Sequence, residues 1–413
     1  MTALRTSLRR GVLGLLLAGL AAGGLVAPAA AAAPTWAELV VQADKDKGYA
    51  ITDVTRRFAL VIQRPMVRSA NIYHVRTTTP ADAANVDALI DRMMASGMVS
   101  NVAPEPPVGI SATRFHSWQK GRPVSVGTDP SAYLNQPIAA DLSASHAISR
   151  GSGVTVAVLD TGVDRKHPAL TGRLLAGYDY VDDDADPNER RQNVDTSGDG
   201  RRDSSYGHGT FLAGTIGLLA PDARVLPMRV LDSDGVGNVV VIAQAIRDAV
   251  RLGAGVINLS FGTESSLNSP VLDRALRAAA DAGVLVVVAA GNAGSTQPLY
   301  PGASADVLSV TCFDPTTGTP PSYASYGLWV DVAARGSDVV GPLPGGTYAT
   351  WSGTSMAAPQ VAAQAALIRS RAPQLSRSAQ LEAITKTTTA LRPLSVQYGA
   401  VEIPASLAYA SKP

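Results

Sequence analysis

A single cysteine, Cys312, stands in the whole 413-residue chain. That excludes an intramolecular disulfide and any cage of cysteine ligands around a metal. Imidazole is scarce as well: His74, His116, His146, His167 and His208 are the five histidines, so any imidazole base is one of them. Charged residues are 17% of the chain and hydrophobic residues 46%. The charged share lies below the roughly 25% usual for globular chains and argues against a disordered or coiled-coil protein. Neither sign of charge predominates, since 35 basic side chains face 34 acidic ones. There is therefore no electrostatic footprint for nucleic acid. After Ala33 no run is long and apolar enough to be expected to span a bilayer.

The first segment reads as an address. Arg5, Arg9 and Arg10 precede the apolar stretch Gly11 to Val26, and the small residues Ala27 to Ala33 follow. That is the order of a secretory signal peptide. A membrane anchor is the alternative, but the small-residue tail and the lack of a stop-transfer pattern favour cleavage. The expectation is a signal peptide over 1–33 and a secreted, extracellular product with no membrane association afterwards.

Two further units follow. Residues 34–106 read as a small α+β unit. Phe58, Leu60 and Ile62 alternate as in a strand, and Asn71 to Thr77 can form a second one. Thr79-Pro80 looks like a helix start. Val86, Leu89, Ile90, Met93 and Met94 then recur along one helical face, and Gly97 ends it. Met98 to Ala103 can return as a strand. Residues 107–130 carry glycine and proline and read as an exposed linker. From 131 to 413 the pattern changes to alternating strands and helices. Val154 to Leu159, Gly255 to Leu259 and Val284 to Ala290 are continuous apolar runs, suited to a parallel sheet buried on both faces. Helical stretches carry Ile242, Ala245, Ile246, Ala249 and Val250, and, after Ser269-Pro270, Leu272, Ala275, Leu276 and Ala279. The fold class expected is α/β, a layered fold with a mostly parallel central sheet. Its strand ends should build a site on one rim.

Three short motifs carry chemistry. Asp160 ends an apolar strand in Asp160-Thr161-Gly162. His208 sits in Gly207-His208-Gly209-Thr210. Ser355 sits in Gly353-Thr354-Ser355-Met356-Ala357-Ala358-Pro359, entering an apolar helix that runs to about Arg371. An Asp-Thr-Gly after a strand also marks aspartic proteases, but those need a second such aspartate to share a proton, and none occurs. Together the three fit nucleophilic catalysis. A serine hydroxyl needs a base to take its proton. A histidine can do that, and a buried carboxylate fixes its tautomer. The helix start offers an N–H and a positive dipole end to an oxyanion. The G-x-S-x-G elbow of esterases and lipases is absent around Ser355.

The chain order Asp, His, Ser and the motif wording resemble the subtilisin-like serine proteases, the subtilases, over roughly residues 130–410. A fourth motif, Ala289-Ala290-Gly291-Asn292, strengthens the likeness. The resemblance implies a secreted serine endopeptidase working through an acyl-enzyme. Ser355 would be the nucleophile, His208 the acid/base, Asp160 the orienting carboxylate, and Asn292 with the Ser355 N–H the oxyanion donors. It implies that extended peptide or protein substrate is bound as an added strand between Gly235-Val236-Gly237 and Ser260-Phe261-Gly262. It implies that 34–106 resembles a propeptide, an intramolecular inhibitor and folding helper of a self-processing zymogen, with the cut between about 104 and 132. The product is expected to be a monomer, with no cofactor for the chemistry. The competing function is a catalytically inactive exported binding protein on the same fold.

Two positions depart from the family's pattern. Phe211 stands where a second histidine is usual, and Gln360 where His often follows the Ala-Ala-Pro. Neither belongs to the triad. Acid is concentrated in Asp182 to Asp186 and again in Asp195 to Asp203. The second run places Asp195, Ser197, Asp199 and Asp203 at loop positions 1, 3, 5 and 9 with Gly200 at 6, as a calcium loop needs, but Tyr206 stands where the bidentate Glu belongs. A structural calcium ion there is the one metal expectation. The four histidines other than His208 are expected to be structural, and Cys312 a small buried hydrophobe.

Overall fold

The computed structural model describes residues 36–104, 114–117, 119–139, 142–263, 269–391 and 396–411. The expected signal peptide lies outside them. The small unit runs β1 (Glu38–Ala43), α1 (Ile51–Phe58), β2 (Leu60–Val67), β3 (Ile72–Thr77), α2 (Ala83–Ala95) and β4 (Val99–Pro104). Its antiparallel sheet is ordered β2-β3-β1-β4. Three strands and α2 fall where the periodicity predicts them. The helix start does not: Asp82, not Thr79, caps α2 by accepting from Asn85 N at 2.8 Å. The Thr79 carbonyl is instead held by the Thr77 hydroxyl at the end of β3. The sequence pattern does not reveal β1 and α1, and β1 is an inner strand of the sheet.

The expected linker contains two strands, β5 (Arg114–Ser117) and β6 (Lys120–Gly127). Local composition hides them because their partners lie far along the chain. β6 pairs with β17 (Thr347–Ser352), which also pairs with β16 (Val339–Leu343). The partners of β5 belong to the site described below.

The large unit is built on eight parallel strands. In chain order they are β7 (Thr155–Asp160), β8 (Tyr178–Asp179), β9 (Arg224–Arg229), β11 (Val256–Leu259), β13 (Leu285–Ala289), β14 (Leu308–Phe313), β15 (Val332–Arg335) and β18 (Gly399–Ala400). Their spatial order is β18-β15-β14-β13-β11-β7-β9-β8. Alternate side chains feed two cores. Val156, Val158, Val225, Val256, Leu285 and Val287 pack with α3 (His208–Leu219) and α6 (Thr354–Arg371). Ala157, Leu159, Leu226, Met228, Ile257 and Val286 pack on the other face with α4 (Val239–Arg251) and α5 (Pro270–Asp281). Helices on both faces explain why the strands read as continuous apolar runs. Asp160, Ser260 and Asn292 then sit at or just past the C-terminal ends of β7, β11 and β13, along one rim.

Candidate active site

β7 delivers Asp160 to the rim, and α3 begins at His208. Asp160 Oδ1 lies 2.7 Å from His208 Nδ1, and both residues are wholly buried. Oδ1 also accepts from Thr161 N at 2.8 Å. The carboxylate thus holds the imidazole by Nδ1 and leaves Nε2 free of it. Trp351 at the end of β17 sets its ring edge-on to His208, centroids 5.5 Å apart. Phe211, one of the two departures from the family's pattern, packs edge-on to Trp351 in turn, at 5.9 Å. The hydrophobe at that position therefore braces the imidazole through the indole. Gln360 donates to the Met356 carbonyl at 2.8 Å and to the Arg335 carbonyl, tying α6 to the end of β15.

Ser355 is in the first turn of α6 and is also wholly buried. Its hydroxyl donates to the Ser260 carbonyl at 2.9 Å, while the Ser260 hydroxyl donates to the Ser355 carbonyl at 3.1 Å. The expected serine–imidazole link is therefore not formed. A buried hydroxyl has one proton to give, and here the carbonyl after β11 receives it. His208 Nε2 has no hydrogen-bond partner among the described residues. Asn292 is half-buried, and its carboxamide oxygen accepts from both the N–H and the hydroxyl of Thr354, at 3.1 Å each. That fixes which end of the amide is turned toward the start of α6.

The two expected substrate edges face each other across β5. β10 (Val236–Asn238) and β12 (Phe261–Gly262) flank it in a three-stranded antiparallel sheet. Val236 pairs with His116 and Gly237 with Phe115; Phe261 pairs with Ser117 and Gly262 with His116. Ser117 N donates to the Gly235 carbonyl at 3.1 Å. A Cβ on Gly235 would stand 2.2 Å from the Ser117 hydroxyl, so this glycine does permit close approach of a strand. Gly237 serves otherwise: a Cβ there would meet Leu231 and the Val230 carbonyl, inside the unit. The chain leaves β5 past Gln119, which donates to Ser205 Oγ at 2.6 Å, and reaches Gly121, whose carbonyl accepts from Trp351 Nε1 at 3.0 Å. The chain's own segment therefore fills the cleft and runs on beside the ring that backs His208.

The calcium expectation does not fit. Among the described residues no three His, Cys, Asp or Glu side chains gather in a group able to hold a metal ion. Asp195 turns back onto Gly198 N and Gly200 N, Asp199 onto Arg201 N. Asp203 accepts from Asn193 N and the Ser233 hydroxyl, and the backbone N–H of Ser197 goes to Asp234. The carboxylates close their own loop rather than converge. The first acidic run pairs with Arg190 and Arg229 instead. Three of the other histidines are engaged away from the site, His146 with the Leu219 carbonyl, His167 with that of Thr347, and His74 with Glu38, whereas His116 lies on β5 between the two edges. Cys312 is buried, which pushes its thiol up to about 12.

Residues 151–402 match the subtilase family. The chain belongs to that family of serine-type endopeptidases. It is 41% identical over 225 residues to a thermophilic serine proteinase of Bacillus sp. (strain AK1), covering 54% of this chain and 54% of the relative. The match thus spans about half of that relative's length. Thermitase of Thermoactinomyces vulgaris is 39% identical over 234 residues, which cover 54% of this chain and 77% of thermitase. Among solved structures, a protease from Pseudoalteromonas arctica PAMC 21717 aligns with a TM-score of 0.62 and 30% identity, over 70% of this subtilase and all of that chain. Fervidolysin from Fervidobacterium pennivorans aligns over 91% of this chain and 61% of its own, with a TM-score of 0.66 and 23% identity, and shows the shared fold.

Glu189 was missed by sequence reasoning. Its carboxylate accepts from Thr161 Oγ1, Gly207 N and Thr210 N, beside the Asp160–His208 pair. It lies 19 residues before His208 in a run of mixed charge, so no local spacing could have flagged it.

Proposed function

We propose that this subtilase is an exported serine endopeptidase, made as a zymogen that cuts itself. The observation that carries this reading is the buried 2.7 Å contact between Asp160 and His208 at the mouth of a cleft already holding a peptide strand. Ser355 is the nucleophile. Its oxygen attacks the carbonyl carbon of the scissile bond while His208 Nε2 takes the hydroxyl proton. Asp160 keeps the imidazole in the needed tautomer and stabilises its charged form. The amide end of Asn292 and the N–H of Ser355 receive the developing oxyanion. His208 returns the proton to the departing amine, and water then releases the acyl group. Peptide and protein substrates bind as β5 does, by strand addition. Residues 34–106 act as the intramolecular inhibitor. The first cut falls between Ser117 and Gly121, because Ser117 ends the strand paired with both edges and the Gly121 carbonyl bonds the Trp351 ring that stands beside His208. Once cut, β5 can leave and the Ser355 hydroxyl can turn from the Ser260 carbonyl to the imidazole.

The Ser355–Ser260 bond favours one competing reading, an inactive binding protein on this fold. One experiment decides between them. The exported protein is purified as wild type and as Ser355→Ala, its N-termini are sequenced, and hydrolysis of an unstructured protein is followed. Wild type should yield a new terminus at residues 118–121 and digest the substrate. Ser355→Ala should keep residues 114–121 intact and digest nothing. A wild-type protein that stays uncut, cleaves nothing and does not react with a fluorophosphonate would defeat the enzymatic reading.

A further inference from the structure

Glu189 sits where two separate pieces of the site meet. Its backbone runs along the turn after β7: Val163 N donates to the Pro187 carbonyl, and Glu189 N to that of Val163. From there one carboxylate oxygen accepts from Thr161 Oγ1 at 2.9 Å, Thr210 N at 3.2 Å and Thr210 Oγ1 at 3.3 Å. The other accepts from Gly207 N at 3.1 Å. Gly207 is the N-cap of α3 and Thr210 lies in its first turn, on either side of His208. Thr161 directly follows Asp160. These two pieces are already in contact, since a Cβ on Gly209 would stand 2.1 Å from the Gly162 carbonyl. Gly209 N also donates to Thr161 Oγ1 at 2.9 Å.

The Thr161 hydroxyl makes the link chemical as well as mechanical. It lies 2.9 Å from Glu189 and 3.3 Å from Asp160 Oδ1, and it has one proton for the two. While Glu189 is an anion it takes that proton. Asp160 Oδ1 is then left with the His208 ring nitrogen and the Thr161 N–H. A neutral amide at 189 would offer Thr161 a donor and send the hydroxyl proton to Asp160, weakening its hold on the imidazole. The helix N-terminus favours a negative charge at 189.

We infer that Glu189 is a positioning residue, clamping the turn that carries Asp160 to the helix start that carries His208 and keeping the Thr161 proton away from Asp160. This rests on the proposed roles of Asp160 and His208. Asp160 acts on Glu189 directly, His208 follows Gly207 at the start of α3, and Tyr206 faces Glu189, a ring that Asp164, Asp203 and Arg191 also face, Arg191 lying over it at 4.0 Å. Burial raises the carboxyl to about 7, so the clamp is set near neutral pH.

The test uses full-length protein carrying Glu189→Gln. In a Ser355→Ala background, NMR follows the His208 ring with pH. Its pKa should fall by about one, since a nearby negative charge is lost and Asp160 gains a donor. With Ser355 intact, kcat should fall about 10- to 100-fold with KM within about twofold, as for a misplaced catalytic group. Glu189→Asp should recover part of the loss. If Glu189→Gln does not fold, Thr161→Val removes the same link from the other side and should shift the His208 pKa in the opposite sense or leave it level, while still lowering kcat. An unchanged His208 titration with unchanged kcat in folded Glu189→Gln overturns the inference. A wild-type enzyme with no activity defeats the functional reading alone, because the His208 titration still decides the clamp.

Discussion

The eight-stranded sheet is covered on both faces by its own helices, whereas the four-stranded sheet, whose edge strand β2 is exposed from Val61 to Arg64, borrows part of its cover. The large sheet lies between α3 and α6 on one side and α4 and α5 on the other. In the small unit, Leu39, Val41, Val54, Leu89 and Met93 form a core of its own beneath α1 and α2. The opposite face is different. Val40, Val67, Ile72 and Ala103 join the cluster formed by α4 and α5 of the large unit. The alternation along β1, with Leu39 and Val41 inward and Val40 outward, splits the strand between two cores. A polar group sits in the same seam. Gln42 donates to Gln244 at 2.7 Å, Arg247 and Asn101 donate to Gln42, and Arg274 donates to Asn101 at 2.9 Å. The small unit is thus built like a bound ligand, which agrees with its proposed role as an inhibitor that is later shed.

The largest break in this arrangement comes from charging the shared face. Val40→Asp would bury an unpaired carboxylate against α4, a cost of several kcal/mol, roughly 10²–10³ in affinity or more. After the proposed self-cut, the small unit should no longer co-elute with the large one on size exclusion, and the cut enzyme should lose its inhibition. Unaltered co-elution would mean that the seam is not what holds the two together.

Acidity separates the two units next. Burial raises the Glu189 carboxyl from 4.5 to about 7, and Glu189 belongs to the large unit. Between those values the folded protein keeps a proton that the unfolded chain has released. The contribution to stability is therefore full below 4.5 and is lost as pH rises through 7. Tighter proton binding of that size in the folded state amounts to about 3 kcal/mol. Thermal unfolding of the Ser355→Ala protein should show this fall between pH 5 and pH 8, and Glu189→Gln should flatten it. The pH dependence of small-unit release should be the same in both proteins; a change there would show the two units to be coupled.

How much of this could be read in the sequence follows from where each signal lies. Asp160, His208 and Ser355 each sit at an element end marked by glycine and an apolar run, so local pattern was enough to place them at those ends. The parallel sheet was legible because burial on both faces leaves uninterrupted apolar stretches. β5 and β6 were not, since a strand that pairs only with residues more than a hundred positions away carries no local signature. The acidic loop misled for the opposite reason. Asp195, Asp199 and Asp203 have calcium-like spacing, yet each caps nearby backbone N–H groups, and spacing alone cannot tell a ligand from a turn.

The smallest effects test whether the seam has a centre and a rim. Gln42→Ala removes a buried side chain and leaves Gln244, Arg247 and Asn101 short of a partner, which should cost about 1–3 kcal/mol of small-unit affinity. At the edge, Asp183 accepts from Arg68 N at 2.9 Å and from the Tyr178 hydroxyl at 2.8 Å. Its backbone is left-handed, with φ of 58°, which asparagine also tolerates. Asp183→Asn therefore removes the charge without straining the turn. The Arg68 contact is exposed to solvent, where water can replace what is lost. The expected change is at most about 0.5 kcal/mol, little more than twofold in affinity. Titrating the cut large unit with each small-unit variant, and comparing rate of inhibition loss with Asp183→Asn in the large unit, would order the two. If the rim substitution weakened binding as much as the central one, the seam would be held by its periphery, and the picture of β1 as a strand shared between two cores would have to be given up.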